Sequence, residues 1–146
     1  MYKNEKGFSL IELLLVVTIV GIISVMAIPW LFRAIGAAEN KNAYASLKTI
    51  AKSQVSYYAK NSRFARLDEL NSAENNSLGT TIDDDLQRGV FTLTMNPSNP
   101  TDAELSGDYE IIATKGVTNS DTPCILSITA SGEITELVAT NNCLSE

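Results

Sequence analysis

No histidine occurs among the 146 residues, and cysteine, proline and glycine are sparse at two, four and eight. Without histidine the chain has no Ser-His-Asp or Cys-His nucleophile system, no HExxH zinc helix and no imidazole metal site. Cys124 and Cys143 are too few for a structural zinc site and form no CxxC redox pair. No GxGxxG, GxxxxGKS/T or GxSxG string is present, so neither a phosphate cradle nor a nucleophile elbow is encoded. Carboxylates alone can run some reactions, but these gaps turn the reading away from catalysis. No catalytic residue, no resident metal and no cofactor is expected.

What is present is unevenly spread. A chain of this length predicts one domain, yet 35 of the first 60 residues are hydrophobic against 30 of the last 86. Residues 33–60 carry five bases and one acid, a balance of +4, whereas residues 61–146 carry fourteen acids and four bases, a balance of −10. The two parts are suited to different solvents. The acidic part repels phosphate and has no basic stripe, so no nucleic acid is expected to bind it.

From Leu13 to Phe32 the chain runs for twenty residues without a charge, and a helix of that length spans ~30 Å, the thickness of a bilayer's hydrocarbon core. Lys3 and Lys6 against Glu5 make the preceding leader weakly positive, which places the N-terminus in the cytoplasm and the remainder outside. A secretory signal peptide is the competing reading. Its apolar region would be shorter, about 7–15 residues, and would end in a small-residue cleavage site that is lacking here. Glu12 also stands at the start of the run. A carboxylate at mid-helix costs ~2.5–3.5 kcal/mol on insertion scales, so Glu12 either lies at the membrane surface near the positive end of the helix dipole or has a partner in the membrane. Gly21 and Pro29 weaken the helix and mark a kink, of a kind tolerated in membrane spans. Trp30 suits the outer interface.

No proline or glycine pair interrupts the pattern between Arg33 and Asn61. Tyr44, Leu47, Ala51, Val55 and Tyr58 recur at spacings of three and four, which predicts an apolar stripe on a continuing helix. A helix from Phe8 to about Lys60 would be ~80 Å long. No domain of this size buries such a rod, so its first half must be covered by lipid or by further copies of the chain. Residues 61–88 read as a polar connection, with RLDEL forming at most a short turn. Strands are predicted at Val90–Met95, Tyr109–Thr114, Ile125–Ala130 and Ile134–Ala139, the last two joined by a tight Ser131-Gly132 hairpin. The economical architecture is α+β: a long N-terminal helix with about four antiparallel strands laid on its second half.

Cys124 and Cys143 would lie outside the cytoplasm, where a disulfide is expected; the alternative is two buried thiols. Asp83-Asp84-Asp85 lacks the alternation of a calcium loop and reads as a solvated acidic patch. Asn75-Asn76-Ser77 fits the glycosylation pattern, for which chance is the better explanation. The aromatic residues along the helix are accounted for by packing.

The string Gly7-Phe8-Ser9-Leu10-Ile11-Glu12-Leu13-Leu14 closely resembles the processing and assembly motif of type IV pilins and the related pseudopilins. The resemblance implies that a prepilin peptidase cuts between Gly7 and Phe8 and that Phe8 is then N-methylated. It implies that Glu12 neutralises the N-terminal amine of a neighbouring subunit, and that Pro29 is where the stem loosens on leaving the bilayer. YEIIATKG followed by CILSITASGEI and a second cysteine resembles the C-terminal half of smaller pilins. The segments implied are a leader at 1–7, a membrane and filament-core helix at 8–32, its amphipathic continuation at 33–60, and a head at 61–146 with a loop at 61–88 and a sheet at 89–146. The function implied is a type IV pilus subunit, made as an inner-membrane precursor with its head outside and polymerised into an extracellular filament. Its partners would be copies of itself, the prepilin peptidase and the inner-membrane assembly machinery. The alternatives are a pseudopilin of a type II secretion system, whose major forms usually carry a calcium loop in place of a disulfide, and a minor pilin acting as a binding or adhesion head.

Overall fold

A computed structural model describes residues 7–116, 124–137 and 143. Helix α1 (Leu10–Asn61) is followed by α2 (Leu67–Ala73), then by strands β1 (Thr80–Ile82), β2 (Asp85–Arg88) and β3 (Phe91–Met95). After a 3-10 turn at Glu104–Ser106 come β4 (Glu110–Lys115), β5 (Ile125–Thr129) and β6 (Ile134–Glu136). The chain divides into two compact units, one ending at Gly36 and the other beginning at Ala37.

In the first unit α1 starts at Leu10, two residues later than expected, where the Ser9 carbonyl accepts the Glu12 and Leu13 N–H groups at 3.0 and 3.2 Å. The helix is assigned without a break through Gly21 and Pro29.

In the second unit α1 ends where Ser62 takes a left-handed conformation, φ 57°, and donates its N–H to the Tyr58 carbonyl at 2.8 Å. The buried face of this part of the helix is Ala43, Ser46, Leu47, Ile50 and Gln54. The expected stripe was therefore wrong in all but Leu47 and the half-buried Ala51, since Tyr44, Val55 and Tyr58 are 37%, 62% and 40% exposed. The inward face was disguised by polar side chains whose hydrogen bonds are met internally. Ser46 Oγ donates to the Asn42 carbonyl at 2.7 Å, and the Gln54 amide both donates to the Ala65 carbonyl and accepts the Ala65 N–H, each at 2.8 Å.

All six strands form one antiparallel meander in the order β1-β2-β3-β4-β5-β6. Cross-strand neighbours carry the core in rows. Leu86, Leu93, Ala113 and Leu126 form one row, and Met95, Ile111, Ile128 and Ile134 another. These pack in a single cluster with Ala43, Leu47 and Ile50 of α1 and Leu67 and Leu70 of α2. The four predicted strands correspond to β3–β6, with residues 138 and 139 of the last lying outside the described residues. The predicted two-residue hairpin at Ser131-Gly132 is a longer connection beyond the last pair, Ile128–Ile134, with Gly132 at φ 75°.

Residues 61–88 are not the loop they were expected to be, because they contain α2, β1 and β2. β1 is exposed throughout and β2 buries only Leu86, so neither shows an apolar alternation. Other devices hold this region. Asn71 Nδ2 donates to the Gly79 carbonyl (3.1 Å) and to Thr81 Oγ1 (2.9 Å), while its Oδ1 accepts the Leu78 N–H at 3.1 Å. A Cβ at Gly79 would lie 2.6 Å from the Gln87 carbonyl oxygen, so only glycine lets β1 approach β2 there. Asn75 and Asn76 both adopt left-handed conformations, which asparagine tolerates.

Glu69 accepts two hydrogen bonds from Arg63, at 2.8 and 2.9 Å, and the Arg66 backbone N–H at 3.1 Å. The Arg63 hydrogen bonds hold its carboxyl below the usual range, and bonds from Ser127 and Asn96 do the same for Glu110. A folded pKa below the unfolded one means the unfolded chain binds more protons. This stabilisation is complete above about pH 4.3 and is lost as pH falls through the lowered values. The head is therefore expected to lose stability to urea steadily below about pH 4, and Glu69→Gln should flatten part of that slope.

Cys124 and Cys143 are disulfide-bonded, 19 residues apart. Closing a loop of this size contributes about 3 kcal/mol in the chain-entropy account, so Cys143→Ser should lower the unfolding free energy from urea titration by about that amount. Among the described residues an ion pair lies in the core region, with Lys115, 6% exposed, 3.0 Å from Glu39 of α1.

Candidate processing and assembly site

Gly7, Phe8 and Ser9 precede the helix and lie at the surface. A Cβ added at Gly7 meets nothing within 4 Å, so the chain's own fold does not demand glycine there. Phe8 is 80% exposed. Four residues on, Glu12 stands exposed in the first turn of α1, and its carboxylate has no hydrogen-bond or ion-pair partner among the described residues.

Every large hydrophobic side chain from Phe8 to Phe32 is between 49% and 81% exposed. An apolar surface of this extent is not stable in water, at about 25 cal/mol per Å² of contact forgone. The helix is long and apolar enough to cross a membrane, and none of its most apolar stretch is buried within the chain. Its hydroxyls suit lipid as well. Thr18 Oγ1 donates to the Leu15 carbonyl and Ser24 Oγ to the Val20 carbonyl, both at 2.8 Å, so neither needs an outside partner. Glu12 is the only charge between Leu10 and Phe32. A lone carboxylate at the end of an uncovered apolar rod favours a cation brought to it inside the membrane or inside a bundle of such rods.

Gly21 and Pro29 lie within α1, while Cys124 and Cys143 belong to the second unit. The carboxylates of Asp83, Asp84 and Asp85 form no metal-holding group, and no other such group occurs among the described residues. The sequence reading missed the Lys115–Glu39 pair. Its signal was available: Lys115 continues the inward parity of Ile111 and Ala113 along β4.

Residues 2–28 match the family model described as the prokaryotic N-terminal methylation motif. The matched span includes Gly7, Phe8, Glu12, Gly21 and most of the charge-free run, and leaves the second unit outside it. No curated protein and no solved structure matches the chain.

Proposed function

We propose that this chain, type IV pilin-like through its N-terminal methylation motif, is the structural subunit of an extracellular type IV pilus. The observation that carries the proposal is an apolar first part of α1, exposed up to Phe32, with one carboxylate a turn beyond a Gly-Phe junction. The precursor is anchored in the inner membrane by this helix, with the disulfide-bonded head outside. Prepilin peptidase cleaves after Gly7, and the new amine at Phe8 is methylated. Glu12 meets the amine of a neighbouring copy, fixing register, because a slip of one turn would leave both charges unpaired in an apolar core. The inner-membrane assembly machinery draws the copies into a fibre in which packed helices replace lipid. Gly21 and Pro29 are the points where the helix loosens during that transfer.

Gly7→Val is the direct test of processing. Because the position is sterically open, substitution there acts on recognition by the peptidase. Intact mass should show the variant seven residues longer than the mature wild-type chain, and cleavage at the wild-type rate would contradict the assignment.

The pseudopilin reading shares the processing site and the helix. The bond between Cys124 and Cys143 favours the pilus. Surface fibres sheared from producing cells distinguish the two, since a pseudopilin remains in the cell envelope.

A further inference from the structure

Within the second unit, the side of α1 turned away from the sheet carries Lys41, Ala45, Lys52, Val55 and Ala59. Their spacings of four, seven, three and four keep them on one ridge. Lys48 on the same side is engaged, its Nζ donating to the Gly132 carbonyl at 2.6 Å and lying 5.6 Å from the Tyr44 ring centre. Lys41 and Lys52 have no ion-pair or hydrogen-bond partner among the described residues, and Val55 beside Lys52 is 62% exposed. The ridge is thus basic with an aliphatic centre.

A surface of the opposite kind lies at the first edge of the sheet. The β1–β2 turn presents Asp83 and Asp84, both exposed and without a partner among the described residues, next to Ile82, which is 50% exposed. Ile82, Asp83, Asp85, Gln87 and Thr92 line an open cleft of about 230 Å³, room enough for an aliphatic side chain and the stem of a lysine. Burial, and then the charges of Asp84 and Asp83, push the Asp85 carboxyl upward, so the turn is short of a cation. Among the described residues no hydrogen bond or ion pair joins the ridge to the turn.

We propose that the β1–β2 turn of one copy docks on the α1 ridge of the next, with Lys52 on Asp83 and Asp84 and Val55 against Ile82 in the cleft. The proposal rests on the filament assignment and adds a second contact to it, between heads. An aliphatic residue beside a base on one surface fits an aliphatic residue beside acids on the other. The two surfaces differ and occupy different places on the chain, so the contact is heterologous. Repeated from copy to copy, such a contact builds an open polymer in place of a closed dimer. The bias of +4 over residues 33–60 and −10 over residues 61–146 supplies longer-range attraction of the same sense.

The test uses the full-length chain in cells that assemble it. Lys52→Glu and Asp84→Lys should each lower the yield of sheared fibres about tenfold, as like charges are brought together, while the double exchange restores most of the yield. Independently, Val55→Cys/Ile82→Cys should give a ladder of covalent multimers on a non-reducing gel, and either cysteine alone should give none. Failure of the double exchange to restore fibres, or monomers alone from the cysteine pair in fibres that form, overturns the contact and leaves the filament assignment standing. A wild-type chain that forms no fibre removes the filament assignment instead. The cysteine pair is then read on membrane-resident copies, where a ladder upholds the contact and monomers alone overturn it.

Discussion

Glu12→Ala is expected to leave the chain in the membrane and all but remove it from fibres. The substitution deletes the only charge between Leu10 and Phe32, which on insertion scales costs ~2.5–3.5 kcal/mol at mid-helix. Insertion should therefore be unchanged or improved. In the fibre the same change leaves the amine of a neighbouring Phe8 without its counter-charge in an apolar bundle. Breaking a buried pair by removing one partner costs about 3–5 kcal/mol, so incorporation should fall by about two orders of magnitude or more. Glu12→Gln separates charge from hydrogen bonding and should recover only a small part of the loss. The measurement is the ratio of sheared to membrane-bound protein for each variant. Wild-type incorporation of Glu12→Ala would remove the assigned role of this residue while leaving the membrane anchor intact.

The second large effect is in the head. Gln54→Leu keeps size and helix propensity but deletes both hydrogen bonds to Ala65. Gln54 and Ala65 are both fully buried, so the Ala65 N–H and carbonyl lose their partner in a place water does not reach. Each orphaned group costs about 1–3 kcal/mol, giving an expected loss of about 2–6 kcal/mol for the two and a fall in Tm on the order of 10 °C or more. Thermal melting of the full chain in detergent, followed by near-UV circular dichroism, measures it. A change below about 1 kcal/mol would mean that the bonds are replaced elsewhere.

The two units differ in how much of them could be read in advance. In the first, type and order of residues were sufficient. A run of apolar side chains broken by one glutamate is set apart by composition alone, and Gly7, Phe8 and Glu12 fall within the span that matches the methylation motif. In the second, legibility followed alternation. β3 and β4 were legible because Phe91, Leu93 and Met95, then Ile111 and Ala113, face inward at every second residue. β1 and β2 were not, because Asn71 and Gly79 hold them where apolar burial does not. The face of α1 was misassigned for a related reason. Aromatic and branched residues drew the stripe toward Tyr44, Val55 and Tyr58, whereas the packed face contains Ser46 and Gln54. A buried amide paired to the backbone resembles a surface residue in any pattern based on hydropathy. The misplaced residues were informative nonetheless, since Val55, left outside the core, lies on the ridge assigned to the next copy.

The central claim is that the chain is cut after Gly7, methylated at Phe8 and polymerised. Intact-mass spectrometry of fibres sheared from the cell surface tests it most directly. The expected dominant species lacks residues 1–7, is heavier than the unmodified remainder by one CH2, since a methyl replaces an amine hydrogen, and is two hydrogens lighter through the Cys124–Cys143 bond. Fibres in which this species is absent, with the chain found only in membranes and still carrying its first seven residues, would contradict it.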